Sequence, residues 1–313
     1  MRVLFWGTPE FAAPPLRALL GEGFEVVGVV TQPDRPQGRS RSSVVASPIK
    51  RIALEESVPV LQPEKPRGPE FLDAVRALEP DISIVVAYGH ILPRNVIDLP
   101  RRGTLNIHAS LLPRWRGAAP IQAAIRAGDT ETGVTIMRMV SQLDAGPILL
   151  QVPTPIAEDE TYGELQLRLS ELGALALIEA LSLLDMGQVT EQPQAEAMAT
   201  YAPKIDRDDA RIDWTRPAHD IGCAVRAYDP KPGAFTTLAG TEVKLFGARS
   251  ATSGDSAAAA PGTIVSIDGG GAVVACGGGV IRIVDAQPAG KRRLSIAEMA
   301  RGRGVRGGDR FGS

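Results

Sequence analysis

The sequence predicts an α/β chain of two domains: a doubly wound, Rossmann-like sheet followed by a small OB-type β-barrel. Three observations carry that expectation. Strand and helix signals alternate over the first half, short β-rich runs separated by glycine turns fill the C-terminal part, and a polar, proline-containing segment from Gln188 onward divides them. The boundaries expected from this pattern are 1–187 for the first domain, 188–208 for a linker and 209–313 for the second. A chain of 313 residues has the mass for two cores without disulfide or metal staples.

Taken in order, RVLFW at 2–6 is a short buried strand, and GTPEF turns the chain into a helical run with Phe11, Pro15, Leu16, Leu19 and Leu20 at helix spacing. EVVGVV at 25–30, DISIVVA at 81–87 and GTLNIH at 103–108 are further strands, with helical patterns at 48–56 and 70–78 between them. GVTIMRM and ILLQVPTPI form a pair of strands. A long amphipathic helix follows over 162–186, with Leu165, Leu169, Leu172, Leu175 and Ile178 expected along one face. Past the polar segment, runs at 234–238, 242–248, 262–267, 271–275 and 279–285 supply five short strands, enough for a small barrel.

Composition narrows the function classes. No run of about 18 apolar residues is present to span a bilayer, and MRVLFWGTPEF has neither the apolar length nor the cleavage site of a secretory leader. The two cysteines, Cys223 and Cys276, are too far apart for a paired zinc cage or a disulfide framework, which fits a reducing cytoplasm. No long apolar face demands a second copy, so a monomer is expected. Residues 1–200 hold 18 Lys/Arg and 24 Asp/Glu, whereas residues 201–313 hold 16 and 12, and 291–313 alone hold 7 and 2. An acidic first part and a basic second part point to an anionic partner met by the second, or to a solvated basic tail.

Chemistry concentrates at the end of the fourth strand. Asn106 and His108 are two residues apart, so they project from one face at the carboxyl end of the sheet, where open α/β folds place their ligands. An amide donor beside an imidazole can stabilise an oxyanion and manage a proton, although a lone buried histidine also occurs as a satisfied core residue. The loop from Ser110 to Gly117, with its proline, arginines and tryptophan, has the composition of a site loop. Asp144, before Ala-Gly-Pro, is either a turn residue or a carboxylate that holds the His108 imidazole in one tautomer. A metal site is a poor reading with three histidines in the chain. Ser110 is not on a G-x-S-x-G elbow, which argues against a hydrolytic triad. Gly7, after the first strand, belongs to neither a G-x-G-x-x-G nor a Walker motif and serves a tight turn.

These residues sit inside NIHASLLPRWRGAAPIQAAIRAGDTETGVTIMRMVSQLDAGPIL, which resembles the core of the 10-formyltetrahydrofolate-dependent formyltransferases. FWGTPEFA, VVTQPDRPQGR, VVAYGHILP, YAPKID, the Asp213-Trp214 pair and VRAYDPKPGAFT extend the resemblance over essentially the full length, and the C-terminal part resembles the tRNA-acting branch. The resemblance implies formyl transfer from 10-formyltetrahydrofolate, released as tetrahydrofolate, to the amine of methionyl initiator tRNA, without a metal. It assigns catalysis to Asn106, His108 and Asp144. It assigns folate binding to Ser110, Leu111, Leu112 and Pro113, to Tyr88, Gly89, Ile91 and Leu92, and to Gly146. tRNA contacts fall on Arg39 and Arg41 in the 33–47 loop and on Lys291, Arg292, Arg293 and Arg303 in the tail. That loop departs from the family pattern, since RSRSSVVASP carries arginines where a lysine cluster is usual; arginine also binds phosphate. Three other readings share parts of the pattern: a formyltransferase for small amines, a formyl-folate hydrolase, and a tRNA-binding protein on an inactive scaffold. His90 is expected on a loop surface and His219 in a structural role.

Overall fold

A computed structural model describes residues 1–37, 43–251 and 259–312. Two compact units make up the chain. The first comprises Met1–Gly117, Thr132–Thr154 and Gln166–Tyr201, and the second Ala118–Glu131, Pro155–Leu165 and Ala202–Ser313. The expected division was linear in sequence, whereas the second unit also takes in two segments from the middle of the chain.

The first unit is built on seven strands: β1 (Arg2–Gly7), β2 (Glu25–Val30), β3 (Val60–Leu61), β4 (Ile82–Val86), β5 (Thr104–His108), β6 (Glu131–Arg138) and β7 (Ile148–Pro155). Their order is β7-β6-β5-β4-β1-β2-β3. β1 pairs in parallel with β2 and β4, β2 with β3, and β4 with β5; β6 runs antiparallel to β5. Helices α1 (Ala13–Gly21), α2 (Pro48–Glu55) and α3 (Pro69–Ala77) alternate with the early strands, as the pattern predicts. The strand order reverses between β1 and β4, so the crevice beyond their carboxyl ends is the topological switch point where such sheets bind ligands. Beneath it, Trp6 packs edge-on against Tyr88 at 5.3 Å, in a core that includes Leu4, Val30, Val85, Leu92 and Val96.

The chain continues through α4 (Pro120–Arg126) and, after β7, α5 (Tyr162–Asp185). One expectation for α5 is corrected. Leu165 and Leu169 are fully buried, but Leu175 is 70% exposed and the buried stripe runs on through Gly173, Leu177 and Leu181. Steps of three residues turn a helix face back by about 60° each, so the expected stripe drifted off the core that steps of four retain.

In the second unit α6 (Ala218–Ala227) precedes an antiparallel sheet of β8 (Ala234–Leu238), β9 (Thr241–Ser250), β10 (Ile264–Asp268), β11 (Gly271–Ala275) and β12 (Val280–Pro288). Their order is β8-β9-β12-β11-β10, and β13 (Leu294–Ser295) pairs with β12. All five expected strands are present. The basic C-terminal stretch is not a free tail: after α7 (Ile296–Arg301) it bridges the two edges of the sheet. The Gly312 amide donates to the Thr237 carbonyl at one edge, while the Phe311 amide donates to the Gly262 carbonyl and Asp309 accepts from the Ile264 amide at the other. Buried Phe311 stacks on Trp214, whose indole N–H donates to Thr236, so the Asp213-Trp214 motif anchors this closure.

Both cysteines are buried in this unit, and burial pushes the Cys276 thiol up to about 11 and raises that of Cys223. Thiolate is the reacting form. At pH 8 the native protein is therefore expected to react with neither cysteine on mixing with a disulfide reagent, and the denatured chain with both. A rapid native burst of one thiol would contradict this burial.

Candidate active site

Asn106 and His108 stand at the carboxyl end of β5. The Asn106 amide is half-buried and has no hydrogen-bond partner among the described residues, so its donors are unspent. His108 is 5% exposed, and its Nε2 lies 2.9 Å from the Trp115 carbonyl. A carbonyl only accepts, so Nε2 carries the hydrogen and Nδ1 is the edge left to meet another group. Nδ1 stands 3.7 Å from the Asp144 carboxylate, too far for a direct hydrogen bond. The ring is thus oriented by the Trp115 backbone, a role expected of Asp144.

Asp144 lies on the turn between β6 and β7 with φ +47°, a conformation that few non-glycine residues adopt. Its Oδ2 accepts the Gly117 amide at 2.8 Å. The turn presses on β6: a Cβ on Gly146 would stand 1.8 Å from the Arg138 carbonyl oxygen, so only glycine fits. Gln194 donates to the carbonyls of both Asp144 and Gly146, and Arg116 in turn donates to Gln194. The Trp115 amide donates to the Thr200 hydroxyl, and the Arg116 amide to the Thr200 carbonyl. The expected linker therefore carries residues that wrap the site loop. Sequence reasoning missed them because they lie tens of positions away and follow no period.

The loop after β5 is held just as closely. The Ser110 hydroxyl is buried and donates to the Arg114 carbonyl at 2.6 Å, so it is not free to act as a nucleophile. Thr135 donates to the Ser110 carbonyl and accepts the Leu112 amide, and Gln151 donates to the Leu112 carbonyl. A signal for Thr135 was present: a polar residue in an apolar strand, in register with His108. Leu112 is buried, while Leu111 and Pro113 keep part of their surface.

At the switch point the Tyr88 carbonyl accepts from Thr8 and Gln32, tying together the ends of β1, β2 and β4. Its ring is buried, which pushes the phenol up to about 12, and Leu92 is buried as well. Gly89 has φ +91°, and Ile91 is 85% exposed. His90 sits beside the Tyr88 ring at 5.8 Å.

Arg39 and Arg41 lie outside the described residues. Lys291, Arg292 and Arg303 are exposed and make no close ion pair among the described residues. Arg293 instead binds Asp229 and Asp285 and lies over the Phe246 ring, a structural commitment within its own unit.

A cavity of about 730 Å³ in the second unit, bordered by Asp129, His219, Cys223 and Arg226, holds none of this machinery. Its Cys223 and His219 are 3.6 Å apart, but burial keeps the thiol protonated, so size alone does not make it a reaction site. Among the described residues no three His, Cys, Asp or Glu side chains converge as a metal ion requires. No helix among them is long and apolar enough to cross a membrane.

A free amide donor, an imidazole and a carboxylate at the open end of a parallel sheet, beside a serine hydroxyl already engaged with the Arg114 carbonyl, suit direct acyl transfer between two substrates. The chain belongs to the formyl transferase family: residues 1–181 match the formyl transferase model and residues 204–304 that of the formyl transferase C-terminal domain. It is 48% identical over 313 residues to the methionyl-tRNA formyltransferase of Thiobacillus denitrificans, covering 100% of both chains. It is 46% identical to that of Marinobacter nauticus, covering 96% of each. Among solved structures, HypX from Aquifex aeolicus in complex with tetrahydrofolic acid matches 96% of this chain with a TM-score of 0.64 at 20% identity. This chain spans about half of that one, 46% of its length, and the likeness is one of fold.

Proposed function

We propose that this chain transfers the formyl group of 10-formyltetrahydrofolate to the α-amine of methionine esterified to initiator tRNA. The observation that carries the reading is the likeness over the whole length of both chains, second unit included, to relatives named methionyl-tRNA formyltransferase. The 46–48% identity to these relatives, rather than the presence of a second unit, favours the tRNA acceptor over a small amine.

The folate supplies the formyl carbon. Transfer forms one carbon–nitrogen bond at the amine, breaks the one at N10, and moves one proton from the attacking nitrogen to the departing one. Negative charge gathers on the formyl oxygen meanwhile. The unspent Asn106 amide donates to it, and His108 in its charged form offers Nδ1–H, since Nε2 is held by Trp115. Asp144, 3.7 Å from Nδ1, balances that charge and relays the amine proton through a water.

We assign the folate to this surface. Ile91, Leu111 and Pro113 offer apolar contact, and the backbones of Gly89 and Gly146 offer polar groups. Tyr88, Leu92, Ser110 and Leu112 support them from behind. The test is product identity: amino acid released from tRNA after reaction is expected to be N-formylmethionine, and recovery of methionine alone would contradict the reading.

Lys291, Arg292 and Arg303 are proposed to meet tRNA phosphates, with Arg39 and Arg41 contributing from the 33–47 loop. Five phosphate contacts give a log–log salt slope of about −3.5 to −4.5. Replacing one of the three exposed tail cations with alanine is expected to flatten that slope by about 1. An affinity unchanged by salt would contradict phosphate binding. We place the enzyme in the cytoplasm on the strength of its two free cysteines and its translation substrate, and take it as a monomer because no long apolar run in the sequence demands a second copy; light scattering checks the second point.

A further inference from the structure

We infer that Gln194, locked by Arg116, is a positioning residue for Asp144, and that the segment around it belongs to the reaction centre. The inference rests on the formyl-transfer reading above. A glutamine amide has two N–H donors and one acceptor oxygen, and all three sites are used here in one sense. Nε2 donates to the Asp144 carbonyl and to the Gly146 carbonyl, each at 2.8 Å, while Oε1 accepts from Arg116 Nε at 3.0 Å. Turning the amide over would set an oxygen against two carbonyls and an NH₂ against a guanidinium. The orientation is therefore fixed.

Arg116 is itself anchored. Its side chain is 2% exposed, and its Nη1 pairs with Glu196 at 2.9 Å. The next residue, Gly117, donates its amide to the Asp144 carboxylate. Asp144 is thus gripped from both ends: its main chain through the Arg116 side chain and Gln194, and its side chain through the Gly117 backbone. The left-handed backbone at Asp144 is sparsely populated by itself and persists only where neighbours impose it. Gln194 supplies both side-chain donors that do so. Without them the turn is free to relax and carry the carboxylate away from His108 Nδ1.

The test compares Gln194→Glu, Gln194→Ala, Asp144→Ala and the double variant Gln194→Glu/Asp144→Ala in the full chain. Glutamate has the same shape as glutamine but cannot donate, so a packing role would tolerate it. Positioning predicts that both Gln194 variants lower kcat about 10- to 100-fold, with KM for the folate and for methionyl-tRNA within about threefold of wild type. It also predicts that the double variant is no slower than Asp144→Ala, because Gln194 acts only through that residue. A Gln194→Glu enzyme at wild-type kcat beside an inactive Asp144→Ala would overturn the role of Gln194 alone, as would losses that multiply in the double variant. An Asp144→Ala enzyme that keeps its kcat would overturn the inference together with the reading beneath it.

Discussion

Asn106→Ala and His108→Ala are each expected to lower kcat by about 10²–10³, the usual cost of losing one oxyanion donor. The Asn106 amide is a clean case. It has no partner among the described residues, so truncation orphans nothing and folding is expected to be unchanged. Because the interaction strengthens only as charge develops, kcat and kcat/KM are expected to fall together. His108→Ala also removes the partner of the Trp115 carbonyl, so a modest loss of stability accompanies it. Asp144→Asn keeps an oxygen for the Gly117 amide while removing the charge and the proton acceptor, and is expected to be comparably slow with an unchanged thermal midpoint. Kinetics of purified variants with saturating folate check all three, and near-normal rates would remove these residues from the reaction.

Gly146→Ala is expected to be nearly as damaging without touching a reacting group. The new methyl would stand 1.8 Å from the Arg138 carbonyl oxygen, far inside any tolerated contact. Arg138 is fixed in β6 and its amide donates to the Pro147 carbonyl, so the turn carrying Asp144 must yield. A displacement of about 1 Å at a reacting group costs roughly 10² in rate. The variant is expected to lose that much kcat and to melt earlier than wild type. Gly21→Ala is the control, since a Cβ there meets nothing within 4 Å. Equal activity of Gly146→Ala and Gly21→Ala would mean that the turn has more latitude than its packing indicates.

Much of this was legible in the sequence, and the parts that were not share a physical character. Buried parallel strands announce themselves as apolar runs, which is why β1, β2, β4 and β5 were expected where they occur, while the five antiparallel C-terminal strands were marked by the glycine turns between them. Asn106 and His108 were legible because polar residues two apart at the end of such a run must share a face. Leu175 was misjudged because helix faces drift when read in steps of three. Gln194 and Thr200 were invisible: they bond main-chain atoms 48 to 85 positions away, and a hydrogen bond to a main-chain atom constrains no pattern at the partner residue. The closing role of the C-terminal stretch was masked for a similar reason. Its arginines suggested a charged tail, whereas main-chain bonds from residues 308–312 fix its path.

The most direct measurement is formyl transfer from 10-formyltetrahydrofolate, run in parallel with methionyl initiator tRNA, with the same tRNA uncharged, and with no acceptor. Formylation in the first arm, with neither formylated product nor released formate in the other two, is the expected result. Formate released at the same rate in all three arms, with no formyl group on the charged tRNA, would contradict it.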